Sequence, residues 1–384
     1  MSIFFLIDGL LMDGDPPLES SMPELARLVA VGQGGTVSFG NDSSTPESGQ
    51  VYRQLLLGPE RSKSLPLLGL GYLSALGLGL NPDPGRTWAC LELMHLFQKT
   101  NKLLFFPPER VGLSPTEKSG LLRCLEAEFQ AQGWSLHWSE DYGEAVLSSS
   151  TPCQAEVASC TLLDGGSFYD FLPRGIDANR LLALVTTGQM LLSQEPINRQ
   201  RIQQQKLPLN TPWVWGLAPG DPNLDIPALL PDDPKQVWSS NPSFSGLARL
   251  AGFWPNCFDE VALTNQLERV RLLDVAKSGC GVIHFNRPAH LARLGLMSER
   301  QDLLRQIDQQ VLAYVAAQLA EGGGPLVVSC SATLDRVGKP LVGPVPWLRV
   351  AGKGLGAKKR FWHRRTLFDG QLFSVSQFRR EWMR

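Results

Sequence analysis

An apolar run near the start of the chain, residues 3–7, ends directly at Asp8-Gly9. Its short length, its β-branched and aromatic side chains and the turn dipeptide that bounds it predict a fully buried strand. Apolar residues at helical spacing then predict a helix over residues 23–31. A strand followed by a loop and a helix is the opening order of an α/β sheet. Asp8 would therefore lie at the carboxyl edge of that sheet, where ligands collect.

The size and charge of the chain limit the class of protein to which it can belong. A chain of 384 residues that is 43% hydrophobic can bury one large core, or a large core and a smaller one. Its net charge of −1 provides no general attraction to nucleic acid or to an anionic membrane. The seven cysteines include no C-x-x-C pair, which is typical of a reducing compartment. The run at 3–7 is too short for a signal peptide, and glycines interrupt the apolar stretch at 65–80, so we expect a cytoplasmic protein without a membrane span.

The middle of the chain has a different pattern. Helices predicted at 115–133 and 177–192 alternate with short strands, which indicates a smaller α+β unit. We assign residues 85–208 to this inserted unit, and 1–84 together with 209–384 to the main α/β domain. A proline-rich stretch at 207–234 is interpreted as the return linker.

Helices and strands alternate again in the last third. Helices are predicted at 247–251, 261–274 and 299–320, the last with Ser298 as its N-cap. Strands are predicted at 281–285, 325–329 and 345–350.

Four stretches together resemble one known family. They are FFLIDG (4–9), TPESGQVYRQLLLG (45–58), NRQRIQQQKLPLNTPWVWG (198–216) and GLARLAG (246–252). Their order and content resemble the archaeal-type cofactor-independent phosphoglycerate mutases of the alkaline phosphatase superfamily. The resemblance implies a three-layer, alkaline-phosphatase-like α/β sheet domain with an inserted smaller α+β domain. In GLGYLSALGLGL (69–80), Leu70 and Ser74 replace the family's usual Arg and Glu.

The resemblance also implies a binuclear metal site, with Asp8 as a metal ligand and Ser48 as the metal-bound nucleophile. The family's remaining ligand positions fall on residues of other types, which are Ala289, Arg293, Cys330, Ser331 and Pro340. An Asp and a Ser alone do not hold a hard divalent cation tightly, since such an ion takes about six oxygen ligands. We therefore predict that Asp8 and Ser48 are vestigial, that no cofactor is bound and that the two-metal mechanism is lost.

Three further residues are candidates for ligand binding. Arg293 stands where a metal ligand is expected, and its guanidinium could bind a phosphate or carboxylate through bidentate hydrogen bonds. Asn198 and Arg201 occupy family-like positions that would help to bind a phosphorylated ligand. The alternative is that Asn198 and Arg201 make structural hydrogen bonds at a helix-to-linker junction.

Two functions remain open at this point. The first is a pseudoenzyme that binds a phosphorylated or other anionic small molecule, or a protein partner. The second is an active, Mn- or Zn-dependent phosphoglycerate mutase or phosphotransferase whose site is rebuilt from His284, His290, Cys330 and Asp335. The stretch 354–384 carries eight Lys or Arg against two acids and is either a partner contact or a solvated face. Nucleic acid is not the expected partner, because the rest of the chain is not basic.

Overall fold

The computed structural model describes residues 3–39, 48–64, 68–140, 142–219, 235–258, 260, 281–320, 324–341, 343–350 and 372–383. The helix predicted at 261–274 and residues 351–371 of the basic stretch lie outside these ranges. Among the helices within them, none is both long and apolar enough to cross a membrane.

The strands are numbered in chain order. They are β1 (Ile3–Ile7), β2 (Gln33–Val37), β3 (Thr87–Lys99), β4 (Lys102–Phe106), β5 (Ser135–Ser139), β6 (Glu144–Ser149), β7 (Ala155–Glu156), β8 (Arg174–Gly175), β9 (Thr211–Pro219), β10 (Gln236–Ser239), β11 (Trp254–Asn256), β12 (Gly281–Phe285), β13 (Leu326–Ser329), β14 (Val345–Val350) and β15 (Leu372–Phe373).

The helices are numbered in the same way. They are α1 (Leu18–Ser21), α2 (Pro23–Val31), α3 (Ser48–Leu57), α4 (Pro59–Ser64), α5 (Leu70–Gly77), α6 (Pro108–Val111), α7 (Pro115–Ala131), α8 (Ala178–Gln194), α9 (Pro196–Gln203), α10 (Pro242–Leu250), α11 (Arg287–Arg293), α12 (Met297–Gln306), α13 (Ala313–Ala320) and α14 (Val375–Met383). A π-helical segment, Ile307–Leu312, joins α12 to α13.

Contacts divide the chain into two compact units. The first comprises Met1–Leu65 and Ile226–Arg384, and the second comprises Pro66–Asp225. The predicted boundaries fell at 84/85 and 208/209 instead. The difference arises because α5 and β9 both pack against β3, the long central strand of the second unit.

The first unit is built on a mainly parallel sheet. Among the described strands the order is β11-β10-β12-β1-β13-β14-β2-β15. Parallel pairs join β11, β10, β12, β1 and β13, whereas β14 runs antiparallel to both of its neighbours. All five residues of β1 are buried, as its continuous apolar sequence requires of a central strand. The expectation of a mixed α/β fold with a multi-stranded sheet is confirmed.

The second unit has an antiparallel sheet and a core of its own. Strand β3 pairs with β4, β6 and β9, and β6 pairs with β5. Helices α7 and α8 contribute Leu121, Leu125 and Leu184 to the apolar cluster. Helix α7 begins with a capping box in which Ser114 accepts from the backbone of Glu117 and the Glu117 carboxylate accepts in return.

Two sequence-based predictions of secondary structure are wrong in detail. The linker predicted at 207–234 is a strand over 211–219, which pairs with β3. The helix predicted at 299–320 begins at Met297, so Ser298 is not its N-cap, and a π-helical segment interrupts it.

Candidate functional site

Several parallel strands of the first unit end side by side. Ile7 lies opposite Phe285 of β12, and Leu6 lies opposite Ser329 of β13. The residue that follows β1 is therefore flanked by the ends of both neighbours. That residue is Asp8, and it is 2% exposed. The predicted placement of Asp8 at the carboxyl edge follows directly from this register.

Both carboxylate oxygens of Asp8 accept hydrogen bonds from the protein. Oδ2 accepts from the hydroxyl of Tyr52 and from His284 Nε2, the latter at 2.9 Å. Oδ1 accepts from the backbone N–H of Ser331 at 3.2 Å. We call Asp8, Tyr52, His284 and Ser331 the Asp8 cluster. A buried carboxylate is stable only when it is paired in this way.

Opposing effects set the acidity of the groups in the cluster. Burial alone would raise the pKa of Asp8, but the charge of His284 and the hydrogen bonds from His284, Ser331 and Tyr52 outweigh it and lower that pKa. Burial, the negative charge of Asp8 and the hydrogen bond to it raise the pKa of Tyr52 well above its ordinary value. Asp8 is therefore the anion of the pair, and Tyr52 is a neutral donor.

His284 is held from several sides. Its Nδ1 lies 2.8 Å from the hydroxyl oxygen of Ser239, at the end of β10. Its ring stacks on Phe244 with centroids 4.0 Å apart and meets Tyr52 edge-on at 5.1 Å. With no exposed surface, the imidazole joins Asp8 to Ser239 within the core.

A second buried carboxylate, Glu260, lies close to the cluster. It accepts from the Ser240 hydroxyl and from the backbone N–H groups of Asn286 and Arg287 at 2.9 and 3.0 Å. These are the first backbone donors of α11, so Glu260 caps that helix. Burial raises the pKa of Glu260 despite these hydrogen bonds and the nearby charge of His284.

The donors around Asp8 do not fit a divalent cation. Both Asp8 oxygens already accept protein hydrogen bonds, and a hard ion takes about six oxygens. Across the described ranges, no group of three or more His, Cys, Asp or Glu side chains is arranged to hold a metal. Burial, followed by the charge of Asp8, raises the pKa of Cys330, so its sulfur remains a neutral thiol and a poor ligand.

The predicted site residues of the first unit lie around this cluster. Ser331 contacts Asp8 directly. Arg293 is the last residue of α11; its side chain is exposed, and its charge acts to lower the pKa of Tyr52. Ser48 is the first residue of α3, one helical turn before Tyr52. The position of the Ser48 side chain lies outside the described part of the structure.

Asn198 and Arg201 belong to α9 in the second unit, where both are 1% exposed. Asn198 Nδ2 donates to the carbonyls of Leu192 and Leu209, and its Oδ1 accepts from the N–H of Leu209. The guanidinium of Arg201 donates to backbone carbonyls, which are those of Leu207, Val111 and Gly112, and to Glu117 at 2.8 Å. Of the two readings left open by the sequence, these hydrogen bonds favour the structural one.

Sequence reasoning missed Tyr52, Ser239 and Glu260. None of them lies in a pattern that marks a site, because each is brought to Asp8 or His284 only by tertiary packing. The single usable signal was the helical spacing that places Tyr52 four residues after Ser48.

The fold and the site define a class of protein: a mixed α/β protein whose strand-end carboxylate is buried in a hydrogen-bonded cluster. No protein-family model matches the chain. Among solved structures, the PH0037 protein from Pyrococcus horikoshii is similar to it, with a TM-score of 0.62, 16% identity and coverage of 100% of this chain and 96% of that one. This likeness concerns the fold alone.

Curated relatives give the family resemblance. A probable 2,3-bisphosphoglycerate-independent phosphoglycerate mutase of Geobacter sulfurreducens is 22% identical over 209 residues, 53% of this chain and 51% of that protein. The 2,3-bisphosphoglycerate-independent phosphoglycerate mutase of Methanosarcina acetivorans is 40% identical over 105 residues, 27% of this chain and 26% of that protein. The matched part thus spans about half or less of these relatives. The resemblance predicted from the sequence is confirmed: the chain is similar, at a distance, to cofactor-independent phosphoglycerate mutases.

Proposed function

We propose that this protein is a phosphoglycerate-mutase-like pseudoenzyme, which binds an anionic ligand or a protein partner without turning it over. The observation that supports this most directly is the hydrogen bonding of Asp8. Its two oxygens accept from Tyr52, His284 and Ser331 inside the core, where a two-metal enzyme would direct them at a cation. The three-layer arrangement and the inserted domain of the alkaline phosphatase type belong to the same proposal.

The alternative is an active enzyme with a rebuilt metal site, and the pairing of His284 with Asp8 is the observation that favours it. Two of the other residues predicted for the rebuilt metal site, Asp335 and Cys330, have different roles. Asp335 Oδ1 accepts from the backbone N–H groups of Val337 and Lys339 at 2.9 and 2.8 Å, which closes its own turn. Cys330 is fully buried as a thiol. The contacts of these side chains weigh against a rebuilt centre.

Metal analysis separates the two functions. The protein is purified with added Mn²⁺ and Zn²⁺, freed of loose ions by gel filtration and assayed for bound metal and for mutase and phosphatase turnover. We expect a substoichiometric metal content and no turnover above the buffer rate. About two metals per chain, together with turnover that Asp8→Ala abolishes, would establish the alternative.

A further inference from the structure

A group of basic side chains lies at the carboxyl edge of the first unit's sheet. Helix α11 contributes Arg287 and Arg293, which fall on its partly exposed side because Pro288, Leu291 and Ala292 form its buried side. The turn at 335–339 contributes the exposed Arg336 and Lys339. We call these four side chains the basic patch.

Close backbone packing fixes the position of the patch. Gly9, directly after Asp8, lies so near α11 that a Cβ there would stand 2.5 Å from the backbone nitrogen of Ala289. Gly338 lies equally near the end of the helix, where a Cβ would stand 2.7 Å from the nitrogen of Arg293. Both glycines have positive φ, +73° and +80°, which favours glycine on conformational grounds as well. The turn that carries Arg336 and Lys339 therefore lies directly on the segment that carries Arg293.

Three acids near the patch are engaged by other groups. Glu260 caps α11, Asp335 closes its own turn, and Asp15 pairs with the buried guanidinium of Arg300 at 2.6 Å. Asp8 is buried, and its oxygens accept hydrogen bonds from its own donors. Within the described ranges, no carboxylate forms an ion pair with Arg293.

Positive charge carried by side chains therefore collects at this edge of the sheet. A guanidinium offers paired N–H donors that match a phosphate, and flanking cations raise the local attraction for a doubly charged anion. We propose that the basic patch binds a dianionic phosphate group without metal, with Arg293 as its central donor. This rests on the proposed function, because an active two-metal enzyme would bind phosphate through its ions.

Calorimetric titration of the full-length protein with inorganic phosphate tests the proposal. Titrations are run at fixed ionic strength, with and without EDTA. We expect binding that EDTA leaves unchanged and that Arg293→Gln weakens by about tenfold or more. The matched control is Arg27→Gln, which removes an exposed arginine that pairs with Glu24 on α2 and should leave the affinity within about twofold.

The outcomes are distinguishable. An absence of phosphate binding, equal affinity in Arg293→Gln and wild type, or an equal loss in both variants would overturn the phosphate site while leaving the pseudoenzyme proposal intact. Phosphate binding that EDTA abolishes would overturn both. Circular dichroism of each variant, compared with wild type, verifies that a loss of binding does not reflect unfolding.

Discussion

At the scale of single residues, the hydroxyl of Tyr52 has a defined energetic role. It donates to a buried anion, and its removal in Tyr52→Phe would leave Asp8 with fewer donors and no access to water. We expect a loss of about 1–3 kcal/mol in the free energy of unfolding, measured by urea denaturation. The matched control is Tyr314→Phe, in the same unit, whose half-buried side chain has no hydrogen bond among the described residues. Equal stability of Tyr52→Phe and wild type would contradict the assigned role of the cluster.

Asp8 and Tyr52 show how far sequence reasoning reaches at this scale. Asp8 could be placed because it directly follows an apolar run, so its position depends only on local sequence. Tyr52 lies 44 residues away on a helix, and His284 lies 276 residues away. Which side chain completes a buried cluster depends on how α3 packs against the sheet. A single sequence records the helical period of α3 but not the partner that its polar side faces.

At the scale of elements, the segment from α12 to α13 contains a break in the helix that the sequence pattern did not reveal. The apolar spacing indicated one continuous helix, whereas the π-helical turn Ile307–Leu312 carries Asp308 into the core. There Asp308 accepts from the backbone N–H groups of Glu24 and Leu25, the first donors of α2. A π-helical turn rotates the residues after it relative to the helix before it. Periodicity averaged over the segment cannot reveal that rotation.

The glutamates around Lys118 make the second unit sensitive to pH. Lys118 on α7 lies 3.0 Å from Glu92 on β3, and Glu144 begins β6 nearby. Burial raises the pKa of Glu144 from 4.5 to about 8, with Lys118 opposing the shift and Glu92 and Glu109 adding to it. Because the folded-state pKa is the higher one, ionisation costs stability. The contribution of Glu144 to the free energy of unfolding should therefore fall as pH rises from 4.5 to about 8 and change no further above it.

The Glu144→Gln variant isolates this contribution. It should lose less stability than wild type over that pH range, as measured by thermal unfolding at a series of pH values. The matched control is Glu140→Gln, whose exposed side chain pairs loosely with Arg123 at 3.7 Å and should follow the wild-type curve. Parallel curves for wild type and Glu144→Gln would show that Glu144 titrates as it does in the unfolded chain.

At the scale of the whole molecule, the two compact units are divided at other residues than those predicted from the sequence. The predicted boundary at residue 84 separated α5 from the strand on which it packs. Gly71 explains why this was hidden: a Cβ there would stand 2.4 Å from the Cα of Ala89, so a glycine-rich stretch that looks like a loop is a tightly packed helix. Glycine marks close backbone approach as well as turns, and sequence alone does not distinguish the two.

A chain limited to residues 66–225 should fold by itself. Its two apolar clusters are composed entirely of its own residues, and Trp134 and Trp213 are each only 1% exposed within them. A unit of this size can bury enough apolar surface for independent stability. We expect a single cooperative urea transition with a red shift of tryptophan emission, because both indoles pass from apolar surroundings to water. A gradual, non-cooperative change would mean that the second unit needs the rest of the chain to fold. In that case the variants Trp134→Phe and Trp213→Phe would identify which of the two apolar clusters does not form.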